Sequence, residues 1–187
     1  MHNNPFDLPR MSNQARVMDM ATTSLGRLDS MTSQLTLKPS IETILCQTQA
    51  NLELLYIKAK NFHWNVKGVG FQGVHEMFDQ LQDFASDQGN RIAERMRYYD
   101  FLVDATARNY ADCAWFPEGI ASLNQEGMLN DMCMTLTSMN DRLCQFICSM
   151  DEYPVDQNML QDISETLGKF CYFVRSNLTV EQRSESY

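Results

Sequence analysis

Apolar residues recur at every third or fourth position along most of the chain, which is the spacing of an amphipathic helix. The first such run follows Ser40, a good helix-capping residue, and ends near Asn65. A second run extends over about Phe71–Tyr98. Gly68 and Gly70 lie between the two runs and favour a break, so the chain is expected to fold back there. The apolar residues predicted to form the packing face of the second helix are Phe71, Val74, Phe78, Leu81, Ala85 and Ile92.

The periodic pattern weakens after Tyr99, where only a short helix within Val103–Tyr110 is predicted. Two longer amphipathic runs follow, over about Leu123–Met150 and about Asp156–Leu178. No segment alternates apolar and polar residues as a half-buried strand would. The predicted fold class is therefore all-α, a four-helix bundle with a short extra helix in the long connection between helices 2 and 3.

The chain has 187 residues, of which 44% are hydrophobic, and this is enough for one ordinary domain. We predict a mobile N-terminal arm over residues 1–39, which are rich in small polar residues and methionine. A folded bundle over residues 40–180 and a C-terminal tail over residues 181–187 are expected to follow. The sequence has neither a secretion leader nor an apolar run long enough to span a membrane. A cytoplasmic protein without membrane contact is therefore expected.

Acidic residues outnumber basic ones by 24 to 15, and several of them fall on one stripe of the second helix. At about 100° of rotation per residue, this stripe holds His75, Asp79, Asp83, Asp87, Asn90 and Glu94. The fold-back at the glycines would bring His63 close to His75. Imidazole nitrogens together with carboxylate oxygens suit iron, with zinc or manganese as alternatives. A solvated acidic face without a metal is the other explanation of the carboxylates, and the two histidines weigh against it.

The residues around this stripe resemble the signature of the Dps family, the mini-ferritins named for DNA protection during starvation. The resemblance rests on the contiguous segment 63–68, His-Trp-Asn-Val-Lys-Gly, followed by His75, Asp79 and Glu94 at the family's spacing. It continues more faintly through residues 156–178. The resemblance implies a ferritin-like four-helix bundle. Classical ferritins use Glu-x-x-His pairs inside one bundle, whereas here Gln72 stands three residues before His75.

By this resemblance, His63, His75 and Asp79 are iron ligands from one subunit, and Glu94 is a ligand from the subunit related by a two-fold axis. The protein would be a homo-oligomer, a hollow dodecamer. It would also be an enzyme, a ferroxidase that oxidises ferrous iron (Fe²⁺), preferably with hydrogen peroxide, and stores the ferric (Fe³⁺) product as a mineral. This activity would protect against oxidative damage. Trp64, next to the first ligand, would intercept stray radicals unless it belongs to the core.

The chain departs from the family pattern at Asn90, where the family usually has an aspartate. An amide oxygen is neutral and binds a hard cation more weakly than a carboxylate does, so Asn90 is a weak candidate ligand. Asp87, one turn away on nearly the same face, is a candidate substitute. An alternative function follows from this departure. The protein would then be a Dps-like shell with an impaired centre, acting in DNA compaction or passive metal sequestration.

DNA binding in the family usually rests on a basic terminal tail, because lysine and arginine neutralise the phosphates. Residues 1–39 carry four basic and three acidic side chains, a net charge of +1. Residues 180–187 contain one arginine and two glutamates. We therefore predict weak or absent DNA binding at physiological salt.

The six cysteines show neither the C-x-x-C spacing of a zinc site nor the small chain length of a disulfide-stapled domain. Most are expected to be buried, reduced thiols. Cys144 and Cys148 are the exception, because a spacing of four on a helix puts both sulfurs on one face. The alternative for this pair is that both are small apolar core side chains.

Overall fold

The computed structural model describes residues 38–178. This part of the chain forms four long helices and one short helix, and it contains no strand. In chain order the helices are α1 (Ile41–Asn65), α2 (Phe71–Tyr98), α3 (Ala107–Asp112), α4 (Gln125–Ile147) and α5 (Pro154–Ser176). The predicted all-α class is confirmed, together with the short helix between the second and third long helices.

The folded part begins with a capped helix. The Ser40 hydroxyl accepts a hydrogen bond from the Thr43 N–H at 3.1 Å and so caps α1 as predicted. The predicted arm, residues 1–39, lies outside the described residues apart from Lys38 and Pro39, and the predicted tail, residues 181–187, lies entirely outside them. No helix of residues 38–178 is both long enough and apolar enough to cross a membrane.

The long helices pack as two neighbouring pairs, α1 against α2 and α4 against α5. Gly68 and Gly70 separate α1 from α2 and have φ values of +144° and +71°, which residues with a side chain rarely adopt. The chain therefore reverses at the predicted glycines. The helices enclose an apolar interior whose burial is the main stabilising contribution. Its fully buried side chains include Leu45, Leu52, Phe62, Val74, Phe78, Leu81, Ala85, Ile92, Met128 and Met132.

The long connection between α2 and α4 is held by polar side chains of α1. The Asn51 side chain donates to the Cys113 carbonyl at 2.9 Å and accepts from the Trp115 N–H at 2.8 Å. The Asn61 amide donates to the Gly119 carbonyl at 2.8 Å. Backbone N–H and C=O groups that are buried away from water need hydrogen-bond partners. The side-chain amides of α1 therefore fix the path of the connection.

Lys58 of α1 also contacts the connection, and its side chain is buried, with only 2% exposed. Its Nζ donates to Asp131 Oδ1 on α4 at 2.6 Å, to Thr135 Oγ1 at 2.8 Å and to the Pro117 carbonyl at 3.0 Å. Burial lowers the pKa of Lys58, and the hydrogen bond with Asp131 opposes that shift. Three acceptors thus match the three donors of an ammonium group, and together they link α1, α4 and the connection.

A second buried ion pair joins α2 to α5. Arg95 Nε and Nη2 donate to Asp156 Oδ1 and Oδ2 at 2.6 and 3.1 Å, and the Tyr99 hydroxyl donates to Oδ2 at 2.7 Å. The Asp156 side chain is 1% exposed. Burial alone would raise the pKa of Asp156, but the hydrogen bonds from Arg95 and Tyr99 outweigh burial and hold the pKa below its usual value. The pair therefore fixes how the start of α5 sits on α2.

Candidate metal centre

His63 in the last turn of α1 and His75 in the second turn of α2 lie face to face across the glycine turn. Their ring centroids are 3.8 Å apart and the ring planes differ by 23°. His63 Nδ1 lies 3.2 Å from the His75 carbonyl oxygen, and His75 Nδ1 lies 2.8 Å from the His63 carbonyl oxygen. The expected approach of the two histidines is confirmed.

These reciprocal contacts determine which ring nitrogen carries the hydrogen. A carbonyl oxygen can only accept, so each Nδ1 donates. This tautomer is assigned from the hydrogen-bond network, and it leaves the lone pair of a neutral imidazole on Nε2, a usual metal-ligating atom. Metal-ligating histidines are commonly oriented by such a hydrogen bond from the other ring nitrogen to a backbone carbonyl. The pair therefore offers two Nε2 donors in fixed orientations.

Asp79 lies one turn after His75 on α2 and is the third predicted ligand at this end of the helix. Its Oδ1 is 3.7 Å from His63 Nδ1 and accepts a hydrogen bond from Gln82 Nε2 at 3.0 Å. A separation of 3.7 Å is too long for a hydrogen bond, and half of the Asp79 side chain is exposed. The remaining lone pairs of this carboxylate are therefore available to a cation. We call His63, His75 and Asp79 the histidine cluster.

The other predicted ligands, Asp87, Asn90 and Glu94, lie farther along α2 and are all exposed. We call these three residues the distal group. At a rise of about 1.5 Å per residue, Asp87 lies about 18 Å and Glu94 about 28 Å from His75 along the helix axis. Metal–oxygen bonds are only about 2 Å long, so one chain does not bring the distal group to the histidine cluster.

Neither group is a complete site within one chain. Residues 38–178 contain no set of three or more His, Cys, Asp or Glu side chains placed to hold a metal ion, and this statement includes the histidine cluster. The donor types nevertheless fit iron, because the histidine cluster supplies two imidazole nitrogens and a carboxylate, and the distal group supplies further oxygen atoms. The predicted ligands are therefore divided between the two ends of α2.

Phe71 contacts the histidine cluster, and Trp64 is the sequence neighbour of His63. Phe71 stacks on His75 with ring centroids 4.9 Å apart and is 44% exposed, so its predicted place on the packing face is wrong, whereas the other five residues of that face are buried. Its spacing of four residues from His75 was the available signal for this contact. Trp64 is 70% exposed, and Lys60 Nζ lies 5.1 Å from the centre of its ring. The alternative that Trp64 belongs to the core of this chain is therefore wrong.

Comparison with known proteins identifies the family of this chain. The family model for the ferritin-like domain matches residues 43–183. The chain belongs to the ferritin-like family. Among the curated relatives of this ferritin-like chain, the DNA protection during starvation protein of Brevibacillus brevis is 41% identical over 56 residues, which is 30% of this chain but only 38% of the relative's length. DNA protection during starvation protein 2 of Bacillus anthracis is 29% identical over 139 residues, 72% of this chain and 94% of the relative.

A solved structure shows the same relationship over more of the chain. The crystal structure of a Dps protein from Bacillus brevis aligns with this ferritin-like chain at a TM-score of 0.70 and 27% identity, and the alignment covers 76% of this chain and 100% of that one. The Dps resemblance carried by segment 63–68 is therefore confirmed, and so is the ferritin-like four-helix bundle.

Proposed function

We propose that this ferritin-like protein is an iron-storing mini-ferritin and a ferroxidase. It oxidises ferrous iron, preferably with hydrogen peroxide, at centres shared between subunits, and it stores the ferric product as a mineral. The observation that carries the proposal is the reciprocal histidine pair, which leaves both Nε2 atoms available to a metal. The Dps relationship supports iron storage and protection of DNA in general. In the cytoplasm this activity would limit oxidative damage.

Shared centres would reconcile the two separated ligand groups. The histidine cluster offers nitrogen donors at one end of α2, and the distal group offers oxygen donors about 18–28 Å away. In a two-fold pair of subunits, each distal group can serve the partner's histidine cluster, and the symmetry then creates two equal centres. Glu94 would be the principal ligand contributed across the axis. A hollow dodecamer built from such pairs is the assembly we propose.

Iron is the substrate of the proposed reaction. The chain carries a net charge of −9, which favours accumulation of cations around the protein. Each ferrous ion gives up one electron, whereas reduction of hydrogen peroxide to two water molecules takes two electrons and two protons. A centre that holds two ferrous ions can therefore consume peroxide without releasing a hydroxyl radical. The exposed Trp64 ring beside His63 would intercept radicals that still form.

A second candidate function rests on Asn90. The amide oxygen at this position carries no charge and is a weaker ligand for a hard cation than a carboxylate. Asp87, three residues earlier and also exposed, is the candidate that would replace it. If neither Asn90 nor Asp87 supports a working centre, the protein would be a Dps-like shell that sequesters metal passively or compacts DNA. The net charge of only +1 in residues 1–39 argues against DNA binding at physiological salt.

The test is the rate and stoichiometry of ferrous oxidation by the purified protein after addition of hydrogen peroxide. We expect fast oxidation of two ferrous ions for each peroxide molecule. The double variant His63→Ala/His75→Ala is expected to lose this fast phase, because it lacks both nitrogen donors. Size-exclusion chromatography checks that the variant still assembles, which separates a lost ligand set from a lost oligomer.

Asp83→Asn is the matched control for this experiment. Asp83 is an exposed carboxylate on the same stripe of α2, but it belongs to neither ligand group. Its neutralisation should leave the rate unchanged, whereas Asp79→Asn should lower it. Wild-type oxidation no faster than that in buffer would contradict the ferroxidase proposal. Equal losses in Asp79→Asn and Asp83→Asn would instead indicate a general effect of negative charge.

A further inference from the structure

The structure singles out a cysteine pair that sequence spacing did not. All six cysteines lie in the described part of the chain and none forms a disulfide. Only Cys133 and Cys171 are buried, so the expectation that most cysteines are buried is wrong. Cys144 and Cys148, the pair chosen from their spacing, are both exposed, which excludes the core alternative for them.

Cys133 on α4 and Cys171 on α5 face each other where these two helices pack. Thr137 bridges the two residues, because its hydroxyl donates to the Cys133 carbonyl at 2.9 Å. Arg175, one turn after Cys171, donates from Nε to Cys133 Sγ at 3.4 Å. The Thr137 hydroxyl lies 3.9 Å from Cys171 Sγ. Two sulfurs, a guanidinium group and a hydroxyl group therefore form one cluster between the helices.

This cluster favours one thiolate and one thiol. The neighbouring Cys171 thiol and the guanidinium of Arg175 lower the pKa of Cys133, and together they outweigh burial, which acts in the opposite direction. The pKa of Cys171 is raised, because Cys171 holds the shared proton beside a thiolate and is itself buried. In contrast, burial raises the pKa of Cys46 and of Cys113, so these thiols stay protonated at neutral pH.

A small oxidant has a route to this pair. A surface cavity of about 500 Å³ lies between α4 and α5, and its lining includes Thr137, Asn140, Cys171 and Arg175. Cys133 is only 1% exposed and does not line the cavity, but Arg175, which does, contacts the Cys133 sulfur, so peroxide in the cavity is separated from that sulfur by one side chain. Hydrogen peroxide is scarcely larger than water, so a polar opening of this size admits it. Thiolate character combined with access is what distinguishes a reactive cysteine from an inert buried one.

We propose that Cys133 and Cys171 form a peroxide-reactive dithiol that reduces hydrogen peroxide without iron and closes to a disulfide between α4 and α5. The Cys133 thiolate attacks one peroxide oxygen; a sulfur–oxygen bond forms, the oxygen–oxygen bond breaks and hydroxide leaves. The Cys171 sulfur then attacks the sulfenic sulfur of Cys133, and the sulfenic hydroxyl departs with the Cys171 proton as water. The two sulfurs lose two electrons, and the peroxide gains both.

The test uses the reduced full-length protein in the presence of a metal chelator, so that iron oxidation plays no part. Hydrogen peroxide is added, unreacted thiols are alkylated after denaturation, and the peptides are identified by mass spectrometry. We expect a linked Cys133–Cys171 peptide. It should form at least about tenfold faster than Cys144 or Cys148 is oxidised, because the Arg175 guanidinium contacts the Cys133 sulfur and stabilises its thiolate.

Variants assign the two roles. In Cys171→Ser, the sulfenic acid on Cys133 has no thiol to react with and should be trapped by dimedone, whereas in Cys133→Ser, Cys171 should stay unmodified. Cys144→Ser/Cys148→Ser is the matched control and should form the linked peptide at the wild-type rate. The proposal is overturned if both Cys133 and Cys171 of the wild-type protein remain fully alkylatable after peroxide treatment, a result that does not depend on the folding of any variant.

Discussion

Two ion pairs join α2 to α5 and differ mainly in burial. Neutralising the acid of each pair therefore measures how much burial changes the contribution of an ion pair to the free energy of unfolding. Arg95 holds Asp156 through two hydrogen bonds, and Asp156 is 1% exposed. Arg91 holds Asp162 through one contact of 3.1 Å, and the two side chains are 41% and 50% exposed. We predict that Asp156→Asn destabilises the protein far more than Asp162→Asn does.

The magnitude follows from the contacts that each variant loses. Asparagine keeps the shape of aspartate but removes the charge and places an NH₂ donor among the donors of Arg95 and Tyr99. Breaking a buried ion pair costs about 3–5 kcal/mol. Because the Arg95 side chain retains 19% exposure and can be partly hydrated, we expect the lower end, about 3 kcal/mol. Solvent screening limits the cost of Asp162→Asn to about 0.5 kcal/mol.

Urea titration followed by circular dichroism measures both costs at one protein concentration, since subunit association adds to the apparent stability. The pKa of Asp156 is held below its usual value in the folded state. Its contribution is therefore complete above the ordinary carboxyl pKa of about 4 and is lost as the pH falls through the folded value. The gap between wild type and Asp156→Asn should narrow in acid. Equal midpoint shifts for the two variants, or a gap that widens in acid, would refute this reasoning.

Three further predictions concern the centre, the connection and the arm. Asn90→Asp should raise the rate of ferrous oxidation about tenfold, the scale of altered metal-site partners. An unchanged rate in stopped-flow assays would mean that Asn90 is tolerated as a ligand or that Asp87 has taken over. Lys58→Met leaves the Asp131 carboxylate without its cation and should cost about 3 kcal/mol. Limited proteolysis of residues 99–124 should be faster than in Lys60→Met, whose half-buried lysine donates only to Tyr56 of its own helix. Gel-shift assays at physiological salt should show no retention of duplex DNA, with or without residues 1–39; retention that requires residues 1–39 would contradict this expectation.

The long helices could be predicted because apolar periodicity is a local signal. α1 and α2 begin and end where the pattern predicts, and α4 is shorter than predicted by two residues at its start and three at its end. α5 begins at Pro154 rather than after it, since proline suits the first helical position, where its missing N–H needs no partner. The short helix begins later than predicted because Thr106 caps it by accepting from the Asn109 N–H.

Contacts between distant segments could not be predicted in the same way. Lys58 and Asp131 are 73 positions apart, and periodicity shows which face of a helix is buried but not which polar group meets it there. The sequence pattern therefore gave no indication that the Lys58 side chain is buried. Cysteine spacing likewise favoured Cys144 and Cys148, because only neighbours on one helix are visible in the sequence. The histidine pair was predictable because 12 positions and two glycines make its contact nearly local.

The proposed centre would make iron chemistry depend on subunit assembly. The reciprocal hydrogen bonds of His63 and His75 orient both rings when a single chain folds. The histidine pair therefore forms without a partner subunit. The distal group is exposed and lies about 18–28 Å away along α2, so under this proposal its oxygen atoms serve the histidine cluster of another subunit. Under this proposal, iron that binds between subunits strengthens their association by the same factor by which association strengthens iron binding. The neutral side chain of Asn90 would then weaken only the set of ligands that the partner subunit supplies. The histidine pair of each folded chain would stay intact.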